Sequence, residues 1–320
     1  MSPLISICVP VYNVAPYIER CVRSLMEQRY EALEYIFVDD CSTDDSIAIL
    51  KRIIAEYQTR NTQVHLYSNE HNRGSAYTRQ EAVKHATGQY VLCVDADDWI
   101  ERDMVLLLYH TMQEETADIT CCAYLKETGK YKEMVILPSV EEQYSIEAAL
   151  QDKIFFLAGK LIPTSYFQDE TIFAPEGLNY LDDRYTIMRL MGKSPKVVTS
   201  PNAIYHYLIH EGSVSQGKQA YHIKCLIRYW QKTEEWLRDQ NLYEPYAALI
   251  GYKKADDIIS LLLYVHDNAI RRQYADVFSE EQQRYAKRLT RGKRFMAFLI
   301  RHRLYVLMRL LDFINYLREK

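Results

Sequence analysis

Three carboxylates follow one apolar stretch of the sequence within four positions. Residues 90–94 have the pattern of a buried strand, and Asp95, Asp97 and Asp98 come directly after it. Side chains alternate between the two faces of an extended segment, so Asp95 and Asp97 are expected to point the same way. Two carboxylates on one side repel each other unless a cation lies between them. Because Mg²⁺ and Mn²⁺ prefer oxygen ligands, this stretch is a candidate divalent metal site.

The same acidic stretch has a simpler interpretation as a solvated turn. Asp is favoured where a turn leads into a helix, since its side chain accepts hydrogen bonds from free backbone N–H groups. A lone acidic pair behind a strand favours that interpretation. Here Asp39 and Asp40 follow a second apolar stretch in the same way. The choice between a metal site and a solvated turn therefore depends on the strands and helices that carry these acidic residues.

The first hundred residues alternate between apolar stretches and helical patterns. Stretches at 4–9, 35–38, 64–67 and 90–94 predict strands, with helices beginning near Pro16, Ile47 and Ser75 between them. This alternation predicts an α/β fold with a mostly parallel, Rossmann-like sheet and helices on both faces. Ligands of such sheets bind beyond the carboxyl ends of the strands. The segments 10–12, 39–40 and 95–97 lie at those ends and are expected to converge on one crevice.

The pattern becomes less regular after residue 104. We expect a helix over 104–115, a strand over 118–125, a loop over 135–143, mixed helix and loop over 145–191, and a strand over 197–207. A polar segment follows at 212–217, and helical patterns dominate from 219 to the end. The sequence therefore predicts two parts, an α/β domain over 1–218 and a helical C-terminal region over 219–320.

Charge is distributed unevenly along the 320 residues, whose net charge is −4. Residues 284–320 hold eleven Lys and Arg against two acidic residues. A helix that crosses a bilayer needs about 20 mostly uncharged residues, and the cations interrupt every such window here. Cations interleaved with apolar residues over 291–318 predict an amphipathic helix on an anionic membrane surface. Packing of this stretch on the preceding helices, or formation of a homodimer, stays open.

The cysteines and the N-terminus indicate where the protein works. Seven cysteines are an odd number, and they form neither a CxxC pair nor a zinc-binding spacing, which favours a reducing compartment. The N-terminus shows no secretory signal pattern. We therefore expect a cytoplasmic protein, with peripheral attachment to the inner face of the plasma membrane as an extension. Nucleic acid is not an expected partner, because the body is acidic and no nucleic-acid module is recognisable.

Five segments together resemble the inverting, nucleotide-diphospho-sugar-dependent glycosyltransferases of family 2, which have the GT-A fold. They are residues 6–13, 38–46, 72–80, 88–98 and 182–183, in order and at the family's spacing. Cys41, Gln80 and Asp182 depart from the family's usual Gly, Asn and Glu. Cys41 is expected to alter its loop slightly, because Gly is the residue most tolerant of left-handed backbone conformations.

The resemblance implies how the nucleotide is held. Pro10 and Tyr12 would line the nucleotide pocket, Tyr12 by packing against the base. Asp40 would accept a hydrogen bond from the N3–H of uracil, which selects uracil over cytosine because a carboxylate can only accept. Asp95 would contact the ribose or the metal shell, and Arg79 could approach the nucleotide from its helix. The alternative for Arg79 is an exposed position on that helix.

The resemblance also implies metal and catalytic roles. Asp97 would ligate the Mn²⁺ or Mg²⁺ that bridges the donor diphosphate. His206 or His210 could complete the metal shell, and His206 is the predicted ligand beside Asp97. The alternative is that it is a hydrogen-bonded core histidine. Asp183 matches the family's catalytic base, which takes the proton of the acceptor hydroxyl. Burial beside Asp182 could raise its proton affinity, whereas helix capping is the alternative role for this pair.

The resulting prediction is a metal-dependent enzyme that moves a sugar from a UDP-sugar to a hydroxyl of a glycan or lipid-linked acceptor, in bacterial surface-polysaccharide synthesis. Lys160 could approach phosphate or acceptor, or lie on the surface. One alternative function is a sugar nucleotidyltransferase, but residues 9–13 lack the glycine-rich, basic phosphate loop of that class. The other is a catalytically inactive scaffold in a polysaccharide assembly complex.

Overall fold

The computed structural model describes residues 2–210 and 220–308. The chain divides into two compact units, residues 1–211 and 212–320. The predicted boundary at 218 and the polar segment 212–217 lie outside the described residues, as does the part of the basic tail beyond residue 308.

The first unit contains strands and helices that alternate over its first half. In chain order they are β1 (Ile5–Val11), α1 (Ile18–Met26), β2 (Leu33–Asp39), α2 (Ser46–Glu56), β3 (Val64–Ser68), α3 (Ser75–Lys84), β4 (Tyr90–Cys93), β5 (Trp99–Ile100), α4 (Met104–Glu114), β6 (Ile119–Thr128), β7 (Tyr131–Ile136), α5 (Ser145–Leu150), β8 (Lys160–Pro163), α6 (Asp182–Met191) and β9 (Val197–Leu208).

These strands form one sheet in the order β3-β2-β1-β4-β8-β6-β9-β5, with β7 paired to β6. The strands β3, β2, β1 and β4 are parallel, as the sequence predicts. β8 runs antiparallel between β4 and β6, and β9 is parallel to β6 and antiparallel to β5. The sheet is therefore mixed, and the strands of its parallel half lead into the segments 10–12, 39–40 and 95–97.

Burial of the parallel strands explains why helices cover both faces. Every side chain of β2 is buried, and β1 is buried except for the half-buried Pro10. Because successive side chains point to opposite faces, a strand with no polar face needs a packed layer on each side. α3 packs against β1 and β2, while α1 packs against α2 and β5. The predicted α/β architecture is confirmed.

Three strands were not predicted from the sequence. β5 has only two residues, β7 occupies part of the segment expected to be a loop, and β8 lies in the region expected to mix helix and loop. β7 is almost wholly exposed, so it has no buried face to give the alternating pattern of a strand. β5 and β8 are too short for periodicity to reveal them. β5 depends on its pairing with β9, and β8 on its pairing with β4 and β6.

The second unit is helical throughout its described part, as predicted. Its helices are α7 (Ala220–Asp239), α8 (Tyr243–Tyr264), α9 (Asn268–Tyr274), α10 (Ser279–Tyr285) and α11 (Arg291–Arg301). α8 packs against α7, α10 and α11. Fully buried Trp230 donates a 3.1 Å hydrogen bond from its indole N–H to Asp257, which fixes α7 to α8. In the described part of the chain, no helix is both long and apolar enough to cross a membrane.

The basic tail divides into an inner and an outer face. Met296, Ala297, Leu299 and Ile300 are buried, and α11 packs against α8. Phe295 and Phe298 are about half exposed, on the same outer side as Arg291, Arg294 and Arg301. Packing on the preceding helices therefore accounts for the inner face only.

Candidate active site

The carboxylates that follow β4 have separate sets of partners. Asp95 accepts a 2.8 Å bond from Arg79 Nη2, and its backbone N–H donates to the Tyr205 hydroxyl at 3.0 Å. Asp97 lies 3.0 Å from His210 Nε2. Burial, and then the nearby Asp95, raise the pKa of Asp97, while His210 opposes the shift. Asp95 and Asp97 are thus close enough to repel each other, as the alternation predicts.

The third carboxylate of this stretch has a structural role. Asp98 is only 2% exposed; it accepts bonds from the Tyr205 hydroxyl at 2.7 Å and the Leu208 N–H at 2.8 Å. Burial, with Asp97 and Asp95 nearby, raises its pKa well above the ordinary range. Asp98 therefore ties β9 to the acidic loop. Tyr205 was missed by sequence reasoning, because nothing in a strand pattern reveals which hydroxyl bridges two acidic residues.

Arg79 joins the end of β4 to the start of α6. Its guanidinium contacts Asp95 Oδ1 at 2.8 Å through Nη2, and Asp182 Oδ2 at 2.6 Å and Asp183 Oδ1 at 2.9 Å through Nη1. Arg79 is buried rather than placed on the exposed side of α3. One guanidinium among three carboxylates leaves an excess of negative charge. The coulombic fields of all three acids raise the pKa of Arg79 against the lowering effect of its burial.

Asp183 has the protonation behaviour of a base that works near neutral pH. Burial raises its pKa to about 7, helped by Asp182 and Asp95, while Arg79 and the Leu157 N–H act in the opposite direction. The Leu157 N–H donates to Asp183 Oδ2 at 3.2 Å, and Asp182 accepts a 2.9 Å bond from Ser75 Oγ. Neither carboxylate caps α6 with its side chain, because the N-cap position is Leu181.

Asp40 is held by three donors from the loop before α3. Its Oδ1 accepts bonds from Asn69 Nδ2 at 2.7 Å and the Arg73 N–H at 2.9 Å, and its Oδ2 accepts one from the Gly74 N–H at 2.7 Å. Asp40 is 2% exposed. A carboxylate has about four acceptor positions, so one position on Oδ2 is left for a further donor. Asp39 accepts a 2.9 Å bond from the Ser42 N–H, so its carboxylate holds the loop after β2.

The loops that carry the predicted site residues are strained. Asn13, Cys41 and Leu181 have φ values of 49°, 64° and 69°, which belong to the left-handed region. These residues flank Tyr12, Asp40 and Asp182. Such conformations are rare for residues with a side chain and cluster at functional sites. The expectation that Cys41 alters the loop is therefore corrected, since Cys41 adopts the left-handed conformation that Gly would favour.

The two histidines lie in different surroundings. His206 Nδ1 is 2.7 Å from Glu127 and its Nε2 is 3.0 Å from Glu101, while its ring stacks on Trp99 with centroids 3.3 Å apart. Both ring nitrogens of His206 contact glutamates, so the structure does not bring His206, the predicted metal ligand, to Asp97. His210 is the histidine that contacts Asp97, and its ring stacks on Tyr17 with centroids 4.4 Å apart.

The remaining predicted residues lie at the ends of two other strands. Pro10 is half-buried near the end of β1, and Tyr12, just beyond it, is 47% exposed and available to a ligand. Lys160 is fully buried at the start of β8, so neither a surface position nor direct contact with solvent-borne phosphate describes it. Its amino group donates to the Tyr124 hydroxyl at 3.0 Å.

The residues near Asp97 suit a divalent cation that shares its ligands with a substrate. Within residues 2–210 and 220–308, no group of three or more His, Cys, Asp or Glu side chains forms a metal site by itself. Asp97 and His210 nevertheless supply a carboxylate and an imidazole, both of which Mn²⁺ accepts. Mg²⁺ and Mn²⁺ are commonly held by one or two protein ligands together with phosphate oxygens. The donor set therefore fits such an ion in the presence of a diphosphate.

Comparison with known proteins places this site in a family. The profile of "Glycosyl transferase family 2" matches residues 6–169, about half of the chain. The chain is 28% identical over 228 residues to glycosyltransferase GlyG of Streptococcus pneumoniae, covering 67% of this chain and 73% of that protein. It is 32% identical over 210 residues to the poly(ribitol-phosphate) beta-glucosyltransferase of Bacillus spizizenii, covering 64% of this chain and 32% of that protein.

A solved structure shares the whole fold. S. aureus TarS 1–349, crystallised with UDP, superposes with a TM-score of 0.69 at 20% identity, over 99% of this chain and 92% of that one. The fold and the family profile together define a GT-A glycosyltransferase. The chain belongs to glycosyl transferase family 2.

Proposed function

We propose that the protein is an inverting glycosyltransferase that moves a sugar from a UDP-sugar to a hydroxyl of a glycan or lipid-linked acceptor. The observation that carries the proposal is the ion cluster of Arg79 with Asp95 and Asp183. It brings a carboxylate with a pKa of about 7 to the acidic end of β4. A general base is most effective when its pKa lies near the working pH.

The proposed reaction is a single displacement at the anomeric carbon. Asp183 accepts the proton of the acceptor hydroxyl while that oxygen forms a bond to C1 of the donor sugar. The bond from C1 to the diphosphate oxygen breaks, its electron pair leaves with UDP, and the configuration at C1 inverts. Arg79 keeps Asp183 oriented through the 2.9 Å contact to its Oδ1. Asp182, held by Ser75, stabilises Arg79 in turn.

The nucleotide is proposed to bind over the ends of β1 and β2. The acceptor position left on Asp40 Oδ2 suits the N3–H of uracil, and the half-exposed Tyr12 offers a face to the base. Pro10 would line the same pocket. In this proposal Asp95 faces the ribose or the metal shell on the side opposite its contact with Arg79. A relative with this fold was crystallised with UDP, which supports the choice of nucleotide.

The proposed cofactor is Mn²⁺ or Mg²⁺, held by Asp97 and His210. When bound, the ion neutralises charge on the departing diphosphate. His210 is positioned for this task by its stacking on Tyr17, and Asp97 by burial beside Asp95. His206 is assigned a structural role between Glu101 and Glu127.

Titration with UDP, with and without Mn²⁺, tests the enzyme assignment. We expect UDP to bind, more tightly with Mn²⁺, and a panel of UDP-sugars to reveal one that is hydrolysed without an acceptor. A protein without affinity for UDP would instead support the scaffold alternative. Formation of a UDP-sugar from UTP and a sugar phosphate would support the nucleotidyltransferase alternative.

The proposed setting is the cytoplasmic face of the plasma membrane, in surface-polysaccharide synthesis. The named relative acts on poly(ribitol phosphate), which supports a cell-surface polymer as acceptor. The seven cysteines are free thiols, which suits a reducing compartment. In the described part of the tail, the exposed Phe295 and Phe298 lie among arginines, as expected for a helix that contacts anionic lipid.

Vesicle sedimentation tests the membrane contact. Deleting 291–320 would remove the core contacts of α11, so the double variant Phe295→Ser/Phe298→Ser is the better choice. We expect the protein to sediment with phosphatidylglycerol vesicles but not with phosphatidylcholine vesicles, and the double variant to remain in solution. Tyr131→Ser, at an exposed site of the first unit, is the control. Unchanged sedimentation of the double variant would exclude α11 as the contact.

A further inference from the structure

A buried chain of hydrogen bonds, here called the relay, runs from Lys160 through Tyr124 to the Ala158 carbonyl. The fully buried Lys160 donates from Nζ to the Tyr124 hydroxyl at 3.0 Å, and that hydroxyl donates to the Ala158 carbonyl at 2.6 Å. Ala158 follows Leu157, whose N–H binds Asp183 Oδ2. The relay therefore reaches the short segment that holds Asp183.

The segment 157–159 is fixed at its Gly159 end by two backbone hydrogen bonds. The Gly159 N–H donates to the Cys93 carbonyl at 3.0 Å, and the Gly159 carbonyl accepts from the Cys122 N–H at 3.0 Å. Gly159 has a φ of 73°, and a Cβ there would lie 2.4 Å from Cys122 Sγ. The backbone thus passes β6 at a distance that only glycine permits. Displacement of this segment would displace the N–H that binds Asp183.

The burial of Lys160 has a desolvation cost that other interactions have to offset. In the described part of the chain, no acidic side chain forms an ion pair with Lys160, and its amino group instead donates to Tyr124. A buried ammonium without a carboxylate carries a large desolvation cost. A cationic donor also polarises the hydroxyl that it contacts, which strengthens the bond that the hydroxyl donates in turn. Burial raises the pKa of Tyr124 well above its usual value, so the hydroxyl stays protonated and able to donate.

We propose that Lys160 and Tyr124 are positioning residues that hold the segment 157–159 so that Leu157 orients the base Asp183. This inference rests on the proposed function, since it assumes that Asp183 takes the acceptor proton. Neither residue touches the substrate. Their effect on catalysis passes through one backbone N–H.

The charged and titratable groups that face Asp183 come from four elements. They are Arg79 on α3, Asp182 on α6, Asp95 after β4, Cys93 on β4 and Tyr124 on β6. The Leu157 N–H lowers the pKa of Asp183, so loss of this bond raises it. The acid limb of the pH profile of kcat then moves to higher pH.

A matched pair of Tyr→Phe variants tests the relay. Tyr35 is a control with the same arrangement away from the site: Arg60 donates to its hydroxyl at 2.8 Å, and that hydroxyl donates to the Leu25 carbonyl at 3.0 Å. For Tyr124→Phe and Tyr35→Phe we would measure kcat and its pH profile for hydrolysis of the UDP-sugar that the wild type turns over fastest. We would also measure the affinity of each variant for UDP and the urea concentration at the midpoint of its unfolding.

We expect Tyr124→Phe to lower kcat by about tenfold or more, to leave UDP affinity unchanged, and to shift the acid limb upward by roughly half a unit to one unit. Tyr35→Phe should lose comparable stability while keeping the wild-type kcat and acid limb. An unmoved acid limb in Tyr124→Phe, or parallel loss of kcat in both variants, would overturn the inference.

A second variant keeps the inference testable if Tyr124→Phe does not fold. Lys160→Gln retains a donor to Tyr124 but removes the charge, and we expect a smaller upward shift of the acid limb with a smaller loss of kcat. No change in either would also overturn the inference. Turnover by Asp183→Asn would instead refute the base assignment itself, so the two failures are distinguishable.

Discussion

Asp40 is a buried carboxylate and Asp183 a carboxylate whose side chain is 21% exposed, and the two are held in different ways. Asp40 accepts three hydrogen bonds from neutral groups, two of them backbone N–H groups of the loop before α3. Asp183 accepts one backbone hydrogen bond and shares a guanidinium with Asp95 and Asp182. Three neutral donors orient Asp40 and leave one acceptor position on its Oδ2. Incomplete compensation leaves Asp183 able to take a proton near neutral pH.

This difference supports the proposed roles of Asp40 in recognition of the nucleotide and of Asp183 in catalysis. A binding carboxylate has to present an oriented lone pair to the ligand, and hydrogen bonds from neutral donors fix that orientation. A base has to change its charge during each turnover, so burial and neighbouring carboxylates are useful there. The following substitutions are ordered by the size of the effect that this comparison predicts.

Asp183→Asn should abolish turnover. The amide cannot take the acceptor proton, and loss of a general base typically costs about 10²- to 10⁴-fold in kcat. Affinity for UDP, measured by calorimetry, should remain within about twofold of wild type, because Asp183 is proposed to act on the acceptor and not to contact the nucleotide. Turnover at a wild-type rate would show that Asp183 is not the base.

Arg79→Lys should reduce both stability and activity. A lysine ammonium cannot contact all three carboxylates in the fork geometry of arginine, and breaking a buried ion cluster costs about 3–5 kcal/mol. Arg79 lowers the pKa of Asp183, so the acid limb of the kcat profile should also move to higher pH. The measurements are urea unfolding and the pH dependence of kcat.

Arg73→Lys is the matched control for Arg79→Lys. Arg73 forms an ion pair with Glu176 whose side chains are 29% and 54% exposed, so the change should cost less than about 1 kcal/mol. Equal losses of stability in the two variants would contradict the special role given to the buried cluster.

Asp40→Asn should weaken the selection of uracil over other nucleobases more than it affects turnover at saturating substrate. The new amide group faces backbone N–H donors at Arg73 and Gly74, which costs about 1–3 kcal/mol of stability. The preference for UDP over CDP, measured as the ratio of dissociation constants, should fall. An unchanged ratio would show that Asp40 does not recognise the nucleobase.

Cys41→Gly should give the smallest effect, and it should be favourable. Cys41 has a φ of 64°, a conformation that costs a residue with a side chain about 1–2 kcal/mol. Glycine relieves that cost but adds entropy to the unfolded chain, so a net gain of roughly 0.5 kcal/mol is expected in urea unfolding. Loss of stability would mean that the cysteine side chain makes contacts that outweigh the strain.

The sequence was sufficient for the parts of the molecule that depend on local pattern. The parallel strands β1 to β4 are apolar stretches separated by helical patterns, and their carboxyl ends carry Asp40 and Asp95 where expected. The acidic pair at the start of α6 could be located only through the family's motif, because no periodicity marks residues 145–181.

Other features depend on contacts between distant segments. Nothing in the sequence around Lys160 distinguishes a buried strand residue from a surface loop, since β8 has four residues and pairs with β4 and β6. The sequence could not show that His210 rather than His206 contacts Asp97, for a similar reason. Both lie near the end of one strand, but pairing of β9 with β5 brings His206 opposite Trp99, whereas His210 lies two residues beyond β9.

The pH dependence of kcat tests the central claim most directly. A base must be ionised to accept a proton, so kcat should rise as the pH increases through the pKa of Asp183, about 7, and level off above it. We predict this single acid limb for hydrolysis of the preferred UDP-sugar. A kcat that stays constant from about pH 5 to pH 8 would contradict the assignment of a carboxylate with a raised pKa as the base.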